Sequence, residues 1–218
     1  MKVYGRATSS NVQALLWGMN ELGLAYDRAD CGEACGGLDS REFLSLNPHG
    51  CIPVLELDDG QALFETGAIL RYLSTAAGDG AFWPVDPVAR ARVDMWAEWA
   101  KYKMAGAFTG PIFWRVVRPR AASRDPAAIA KATKTFESAL ETGLNNVSNG
   151  GFLCGADLSL ADIQFGHVLY RYWDAGLARR DLPDLAGYYE RLTKRPAFQE
   201  AVMVSYDALR DTFGDEGR

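Results

Sequence analysis

The spacing of apolar residues in the first third of the chain predicts a small α/β domain. Short apolar runs predict four strands, at residues 2–5, 26–30, 54–57 and 62–64. Apolar residues at helical spacing predict three helices, at residues 12–22, 41–46 and 67–76. Gly23 is expected to end the first of these helices, with Leu24 folding back onto its last turn. The resulting order, βαβαββα, is thioredoxin-like.

Beyond residue 80 no alternating apolar pattern remains, and the sequence predicts an all-α domain. Its helices are expected at residues 88–103, 126–147, 159–175, 185–194 and 196–203. After the first of them, a helical segment is expected to break at Gly110-Pro111 and to resume at 114–117. Glycine and proline residues predict a linker between the two parts. The predicted units are therefore a domain at 1–78, a linker at 79–87 and a domain at 88–218.

The string Ser159-Leu160-Ala161-Asp162 is a capping box, in which a serine and an acidic residue three positions later satisfy the first backbone N–H groups of a helix. It marks a helix start. We therefore assign Asp162 to folding and not to catalysis.

Charge and composition exclude several classes of partner. The chain of 218 residues has a net charge of −5 and a sequence pI near 5.1, which disfavours nucleic acid and anionic membrane surfaces. No apolar stretch approaches the roughly 20 residues needed to span a bilayer. The four cysteines form no CxxC pair and no zinc-ribbon spacing, so a reduced, cytoplasmic protein without a metal is expected.

The segment Asn47-Pro48-His49-Gly50-Cys51-Ile52-Pro53 precedes the predicted strand at 54–57. Pro53 cannot donate a ladder hydrogen bond, so it should lie at the strand's first position, at an edge or in a special turn. A cis Ile52-Pro53 bond suits that place and leaves backbone groups exposed to pair with an extended ligand. A peptide-like ligand is the natural guest.

A second binding signal follows at Glu65-Thr66-Gly67, where a strand turns into a helix. With Thr66 as the N-cap, the helix N-terminus attracts a carboxylate, while Glu65 can accept from an ammonium group. Together with the 47–53 segment, this pair resembles the soluble glutathione transferases, over nearly the whole chain. In that family, an asparagine-proline-x-glycine-x-x-proline segment and a glutamate-serine pair hold the cysteinyl backbone and γ-glutamyl group of glutathione. The resemblance implies glutathione as co-substrate and a homodimer.

The loop after the first strand supplies the candidate catalytic group. Its string Ser9-Ser10-Asn11-Val12 resembles the serine-x-asparagine-valine motif of bacterial and theta-like transferases. The resemblance makes Ser9 the partner of the glutathione thiolate, with Ser10 and Asn11 as auxiliaries. Ordinary N-capping explains the same three residue types. Tyr4 is a rival, because some classes use an early tyrosine, but it lies inside the predicted strand.

Three departures from the family pattern bear on glutathione binding: Cys51 and Ala14 replace frequent polar or basic residues, and Thr66 replaces a serine. His49 is a candidate to compensate. The predicted glutathione contacts are Ser10, Asn11, His49, Ile52, Pro53, Glu65 and Thr66.

The second substrate should bind across from Ser9, on the first helices of the α domain. Aromatic residues there predict an apolar pocket formed by Trp99, Tyr102, Phe108 and Phe113, although aromatics at helical spacing also build cores. Arg115, Arg118 and Arg120 are candidates to contact an anionic group of the substrate, or to form a solvated face.

The sequence therefore predicts an enzyme that activates the glutathione thiol for attack on a small hydrophobic electrophile. Two alternatives stay open. One is a glutathione-dependent disulfide or peroxide reductase, and the other is a non-catalytic binding or regulatory protein with the same fold.

Overall fold

A four-stranded mixed sheet with three helices forms the N-terminal region of the computed structural model, which describes residues 1–77, 80–147 and 151–212. The strands are β1 (Lys2–Tyr4), β2 (Asp27–Ala29), β3 (Val54–Glu56) and β4 (Ala62–Phe64), in the order β2-β1-β3-β4. β1 pairs in parallel with β2 and antiparallel with β3, and β3 pairs antiparallel with β4. The helices are α1 (Ser10–Glu21), α2 (Arg41–Leu46) and α3 (Thr66–Ala77). The predicted βαβαββα order is confirmed.

The ends of α1 follow directly from its sequence. Ser9 is the N-cap in extended conformation, and its side chain accepts from the Val12 N–H. At the other end Gly23 adopts a φ of +66°, and its N–H donates to the Asn20 carbonyl. The Leu24 N–H donates to the Met19 carbonyl at 3.0 Å, which completes a Schellman motif.

The helical region begins with α4 (Pro87–Ala100), and its continuation differs from the prediction. Gly110-Pro111 does not break the helix. The chain instead runs on through a π-helical segment (Lys101–Ala105), α5 (Gly106–Phe108), a second π-helical segment (Thr109–Trp114) and α6 (Arg115–Val117). A proline lacks the N–H that a helix needs and its ring crowds the preceding turn, and the wider π-helical turn around Pro111 accommodates it.

The rest of the region contains α7 (Pro126–Leu144), α8 (Leu160–Gly166), α9 (Leu169–Asp174), α10 (Pro183–Thr193) and α11 (Pro196–Val202). The single helix expected at residues 159–175 is wrong, because it is interrupted between α8 and α9. There the His167 ring nitrogen Nδ1 lies 3.1 Å from the Ile163 carbonyl, which also accepts the His167 backbone N–H. A side chain that competes for the helix's own acceptors disturbs the regular ladder.

The capping box at the start of α8 is formed as predicted. Asp162 is wholly buried and accepts from the backbone N–H and the hydroxyl of Ser159, from the Leu153 N–H and from the Tyr188 hydroxyl, each at 2.9 Å. Burial raises the pKa of Asp162, and these four donors oppose that rise. The carboxylate thus joins α8, α10 and the segment before α8.

One continuous hydrophobic core runs through both regions. Trp17 of α1 is fully buried and packs at 4.8 Å between ring centroids against Phe198 of α11, and α1 also packs on α3. This core joins residues of both regions. The division into domains at 1–78 and 88–218 stays a prediction. The predicted boundary at residues 78 and 79, and the end of the chain at 213–218, lie outside the described residues.

Candidate active site

Asn47 organises the loop that leads into β3. Its side-chain amide donates to the Cys51 carbonyl at 2.8 Å, and its carbonyl oxygen accepts from the His49 N–H at 3.1 Å. The asparagine itself is buried. The Ile52-Pro53 bond is cis, as predicted, and Pro53 immediately precedes β3. The loop therefore has a fixed shape at the edge of the site.

His49 lies on the exposed side of this loop. Its ring packs edge-on against Phe64, with 5.5 Å between the ring centroids. The His49 ring thus packs this loop against β4. Its role as a glutathione contact stays a prediction.

Glu65 and Thr66 stand at the start of α3. The N-cap position is at Glu65, one residue before the predicted N-cap, Thr66. The helix begins at Thr66, and the Ile69 N–H donates to the Glu65 carbonyl, so Glu65 and not Thr66 precedes the first turn. Glu65 has a φ of +68°, an uncommon conformation for a glutamate that costs backbone free energy. Its side chain is exposed, whereas Thr66 is buried and its hydroxyl donates to the Asn11 carbonyl at 3.3 Å. This bond joins α3 to α1.

Ser9 and Ser10 lie at the N-terminus of α1. Ser9 is partly exposed, and its hydroxyl oxygen lies 3.5 Å from the Val12 N–H, at the long end of the hydrogen-bond range. Within the described residues this hydroxyl donates to no protein acceptor, so its proton is available to a ligand. Ser10 is 9% exposed and is the first residue of the helix.

Asn11 is held from two sides, by Thr66 at its backbone carbonyl and by Lys101 at its side chain. Lys101 was not predicted from the sequence. The side-chain oxygen of Asn11 accepts from the Lys101 ammonium at 2.8 Å, so the NH₂ group of the amide points away from Lys101. Burial lowers the pKa of Lys101, and the nearby Glu65 and Glu98 oppose that effect. Lys101 follows α4 directly, 90 residues from Asn11, so no local motif points to the pair.

Tyr4, the rival to Ser9, is engaged elsewhere. Its hydroxyl donates to the Glu56 carboxylate at 2.7 Å. This hydrogen bond raises the pKa of Tyr4, which works against an anionic phenolate.

Two arginines from different regions meet at Glu33. Arg6, in the loop after β1, lies 3.4 Å from the Glu33 carboxylate, which also accepts from Arg118. The Arg118 guanidinium stacks 4.0 Å from the Trp114 ring centroid. Three arginines were predicted to contact an anionic substrate group or to form a solvated face. Arg118 forms an ion pair with Glu33. The side chains of Arg115 and Arg120 are exposed.

The four aromatic residues predicted to line a substrate pocket do not form one wall. Phe108 and Phe113 are wholly buried in the core, and Phe108 packs on Phe136 at 5.0 Å. The pocket prediction is wrong for these two, because helical spacing does not distinguish a core face from a pocket face. Trp99 stacks on Phe165 of α8, and Tyr102 is 76% exposed beside Lys103. For Trp99 and Tyr102 the role stays a prediction.

The cysteines are free thiols, with Cys31 buried and Cys154 half-buried, and burial raises the pKa of both. Across residues 1–77, 80–147 and 151–212, no three His, Cys, Asp or Glu side chains are grouped to hold a metal ion. None of the helices described there is long and apolar enough to cross a bilayer.

Sequence comparisons decide the family. The glutathione S-transferase N-terminal domain profile matches residues 8–76, and the C-terminal domain profile matches residues 126–191. The chain belongs to the glutathione S-transferase family. Glutathione S-transferase GstB of Escherichia coli is 30% identical over 203 residues, which cover 93% of this chain and 97% of the relative. The resemblance predicted from the Asn47 and Glu65 motifs is confirmed.

Solved structures agree with this transferase fold. The theta-class glutathione S-transferase of Xanthomonas axonopodis pv. citri, with glutathione bound, has a TM-score of 0.86 and 36% identity, over 94% of this chain and 97% of that one. A glutathione S-transferase from Pseudomonas fluorescens has a TM-score of 0.72 and 29% identity, over 90% and 96% of the two chains.

Proposed function

We propose that this transferase binds reduced glutathione at the loop before β3 and the start of α3, and that Ser9 stabilises its thiolate for attack on a small hydrophobic electrophile. The observation that carries the proposal is the Ser9 hydroxyl, which caps α1, is partly exposed and keeps its proton available. The glutathione-bound relative supports the choice of ligand.

The energetics require little more than this group. Lowering a thiol pKa of about 8.5 by two to three pH units requires that the site stabilise the thiolate over the thiol by roughly 3–4 kcal/mol. A hydrogen bond from a hydroxyl to a charged sulfur supplies about 1.5–3 kcal/mol, and a helix N-terminus adds about 0.3–1 kcal/mol. Ser9 at the start of α1 combines both. The thiol proton leaves to solvent and the sulfur forms a bond to the electrophilic carbon. In a substitution the leaving group departs with its electron pair, and in an addition that pair stays on the oxygen or nitrogen of the product, which takes up a proton from solvent.

The remaining contacts recognise the peptide. Glu65 presents an exposed carboxylate for the γ-glutamyl ammonium, and the N–H groups at the start of α3 face the adjoining carboxylate. Backbone groups beside Ile52 and Pro53 pair with the cysteinyl part. Asn11, held by Lys101, presents its amide near the sulfur.

Calorimetric titration with reduced glutathione tests the binding half of this proposal, and a screen of activated aryl halides, epoxides, isothiocyanates and disulfides tests the reaction. We expect glutathione binding and conjugation of at least one carbon electrophile. Binding without any turnover would indicate the regulatory alternative. Turnover of disulfides alone would indicate the reductase. No binding would contradict the proposal.

A further inference from the structure

Arg171, in α9, is a buried arginine whose guanidinium reaches into the catalytic loop. Its exposed fraction is 1%. Its Nη2 atom donates to the Thr8 carbonyl at 2.7 Å and to the Gln13 side-chain oxygen at 3.2 Å. The guanidinium carbon lies 4.4 Å from the centroid of the Phe113 ring. The side chain thus has a fixed position, set by an aromatic face and two acceptors.

Gln13 completes the arrangement from the side of α1. It is wholly buried, and its amide donates to the Ala7 carbonyl at 2.9 Å. The two carbonyl groups that immediately precede Ser9 are therefore held by side chains, Ala7 by Gln13 and Thr8 by Arg171. We call Arg171 and Gln13 the loop clamp. Because the clamp fixes the residue before Ser9, it also fixes the position from which the Ser9 hydroxyl points.

The clamp also places a charge beside the loop. Burial lowers the pKa of Arg171 only to about 10, so the guanidinium stays protonated at neutral pH. The titratable groups that face it are Arg6, His167, Tyr170 and Tyr206. Arg6 is paired with Glu33. The other three are uncharged at neutral pH, because burial lowers the pKa of His167 to about 3 and raises the pKa values of both tyrosines.

Within the described residues Arg171 forms no salt bridge. Burying a cation without a carboxylate partner costs stability, and a neutral amide could hold the same two oxygens at lower cost. In a buried region the charge acts at longer range than in water, and the guanidinium contacts the backbone of Thr8, the residue directly before Ser9.

We propose that Arg171 is a positioning residue for thiol activation. With Gln13 it fixes the loop that carries Ser9, and its buried positive charge beside that loop favours the thiolate of bound glutathione. This inference rests on the proposed function, since it names a further group that acts on the same thiol.

The test measures the thiol pKa of bound glutathione by the ultraviolet absorbance of the thiolate, together with kcat/KM as a function of pH. Two substitutions separate charge from hydrogen bonding. Arg171→Lys keeps a cation, and Arg171→Gln keeps an amide donor without the charge. Arg179→Gln is the matched control, because Arg179 also lies over an aromatic ring, Trp173, and donates to two carbonyl oxygens, but at the end of α9.

We expect Arg171→Gln to raise the thiol pKa of bound glutathione by about one pH unit and to lower kcat/KM about tenfold at neutral pH. The value of kcat/KM should recover in part at higher pH. Arg171→Lys should keep the thiol pKa close to that of the wild type even where its kcat is lower. Arg179→Gln should change neither quantity. An unchanged pH profile in Arg171→Gln, or an equal rise in the lysine and glutamine variants, would overturn the inference.

A second measurement decides the matter if the Arg171 variants do not fold. In Ser9→Ala, the pKa of the bound thiol should remain below that of free glutathione, because the buried charge is still present together with the α1 N-terminus and the Asn11 amide. A return to the value of free glutathione would overturn the inference. Wild-type protein that binds no glutathione would overturn the proposed function as well, so the two failures are distinguishable.

Discussion

Two side chains at the start of α1, Ser9 and Asn11, use one polar atom on a protein group and leave another for a ligand. The Ser9 oxygen accepts from the Val12 N–H and keeps its own proton, and Asn11 accepts from Lys101 and keeps its NH₂ group. Thr66 differs, because its hydroxyl proton is already donated to the Asn11 carbonyl. Polar groups that are oriented in this way need little rearrangement when a charge develops on a ligand.

The first prediction concerns Ser9. Ser9→Ala removes the proposed donor to the thiolate and should lower the conjugation rate about ten- to a hundredfold at neutral pH, equivalent to roughly 1.4–2.8 kcal/mol. Glutathione binding should change less, because its other contacts remain. Raising the pH should partly restore the rate, since more thiolate then forms without the Ser9 hydrogen bond. Steady-state kinetics across pH measure both effects.

Ser10→Ala is the matched control, since Ser10 is a neighbouring and nearly buried serine. It should change the rate much less. If Ser9→Ala is silent and Ser10→Ala or Tyr4→Phe abolishes turnover, Ser9 is not the activating residue.

The second prediction concerns His167, which is wholly buried and whose Nε2 atom has no partner within the described residues. Burial lowers its pKa to about 3, with Lys101 and Arg171 adding to the effect. The unfolded chain, with a pKa of about 6.5, binds a proton first as the pH falls, so stability is complete above that value and declines below it. By pH 5 the loss should reach about 2 kcal/mol.

Urea unfolding of wild type and His167→Asn at about pH 7 and pH 5 isolates this effect, because all other titrating groups are shared. The wild type should lose about 2 kcal/mol more than the variant over that interval. Equal losses would show that His167 is not the group responsible.

At the scale of elements, local signals predicted more than long-range ones. The strands, α2 and the Schellman end of α1 follow from apolar spacing and glycine, and they are confirmed. Gly110-Pro111 misled the prediction, because a proline's penalty depends on the turn around it and a π-helical turn relieves that penalty. The interruption at His167 depends on where one ring points, which spacing does not encode.

The candidate site divides in the same way. Local sequence signals predicted the cis bond at Pro53 and the helix start at Ser9, because a proline and an N-cap serine act on backbone within a few residues, and both features are confirmed. The roles of Ser9, Glu65 and Thr66 toward glutathione stay predictions. The aromatic wall failed at Phe108 and Phe113, and Arg171 was missed because its contact at Thr8 lies 163 residues away. Such contacts arise only when the helical region packs against the loop.

The capping box of α8 supports the third prediction. Asp162→Ala removes a buried carboxylate that satisfies four donors, three of them from the start of α8 and the segment before it. Leaving those donors unsatisfied should cost about 3 kcal/mol or more. Tyr188→Phe removes only one of the four donors and should cost about 1 kcal/mol. Urea unfolding compares the two, and equal small losses would contradict the prediction.

At the scale of the whole molecule, one face of α4 and of the π-helical segment that follows it carries exposed apolar side chains. Val88, Met95 and Tyr102 are 64%, 59% and 76% exposed and stand seven residues apart, which places them on nearly the same side of a helix. Tyr72 of the neighbouring α3 is also exposed, and Arg71 joins α3 to α4 through Asp94. We call these four apolar residues the α3–α4 stripe. An apolar stripe of this kind on two adjacent helices is suited to a two-fold contact with a second copy.

The last prediction is therefore that the protein is a homodimer joined by the α3–α4 stripe, with a mass about twice the 23.9 kDa of the chain. Met95→Glu places a charge within that contact, where burial without a partner costs several kcal/mol, so the dissociation constant should rise at least about a hundredfold. Met203→Glu is the matched control, because Met203 is an exposed methionine at the end of α11, away from the stripe. Sedimentation should show a Met95→Glu monomer at micromolar concentration and a dimer for the wild type and Met203→Glu. A wild-type monomer would contradict the homodimer, and a Met95→Glu dimer as tight as the wild type would place the contact on another surface.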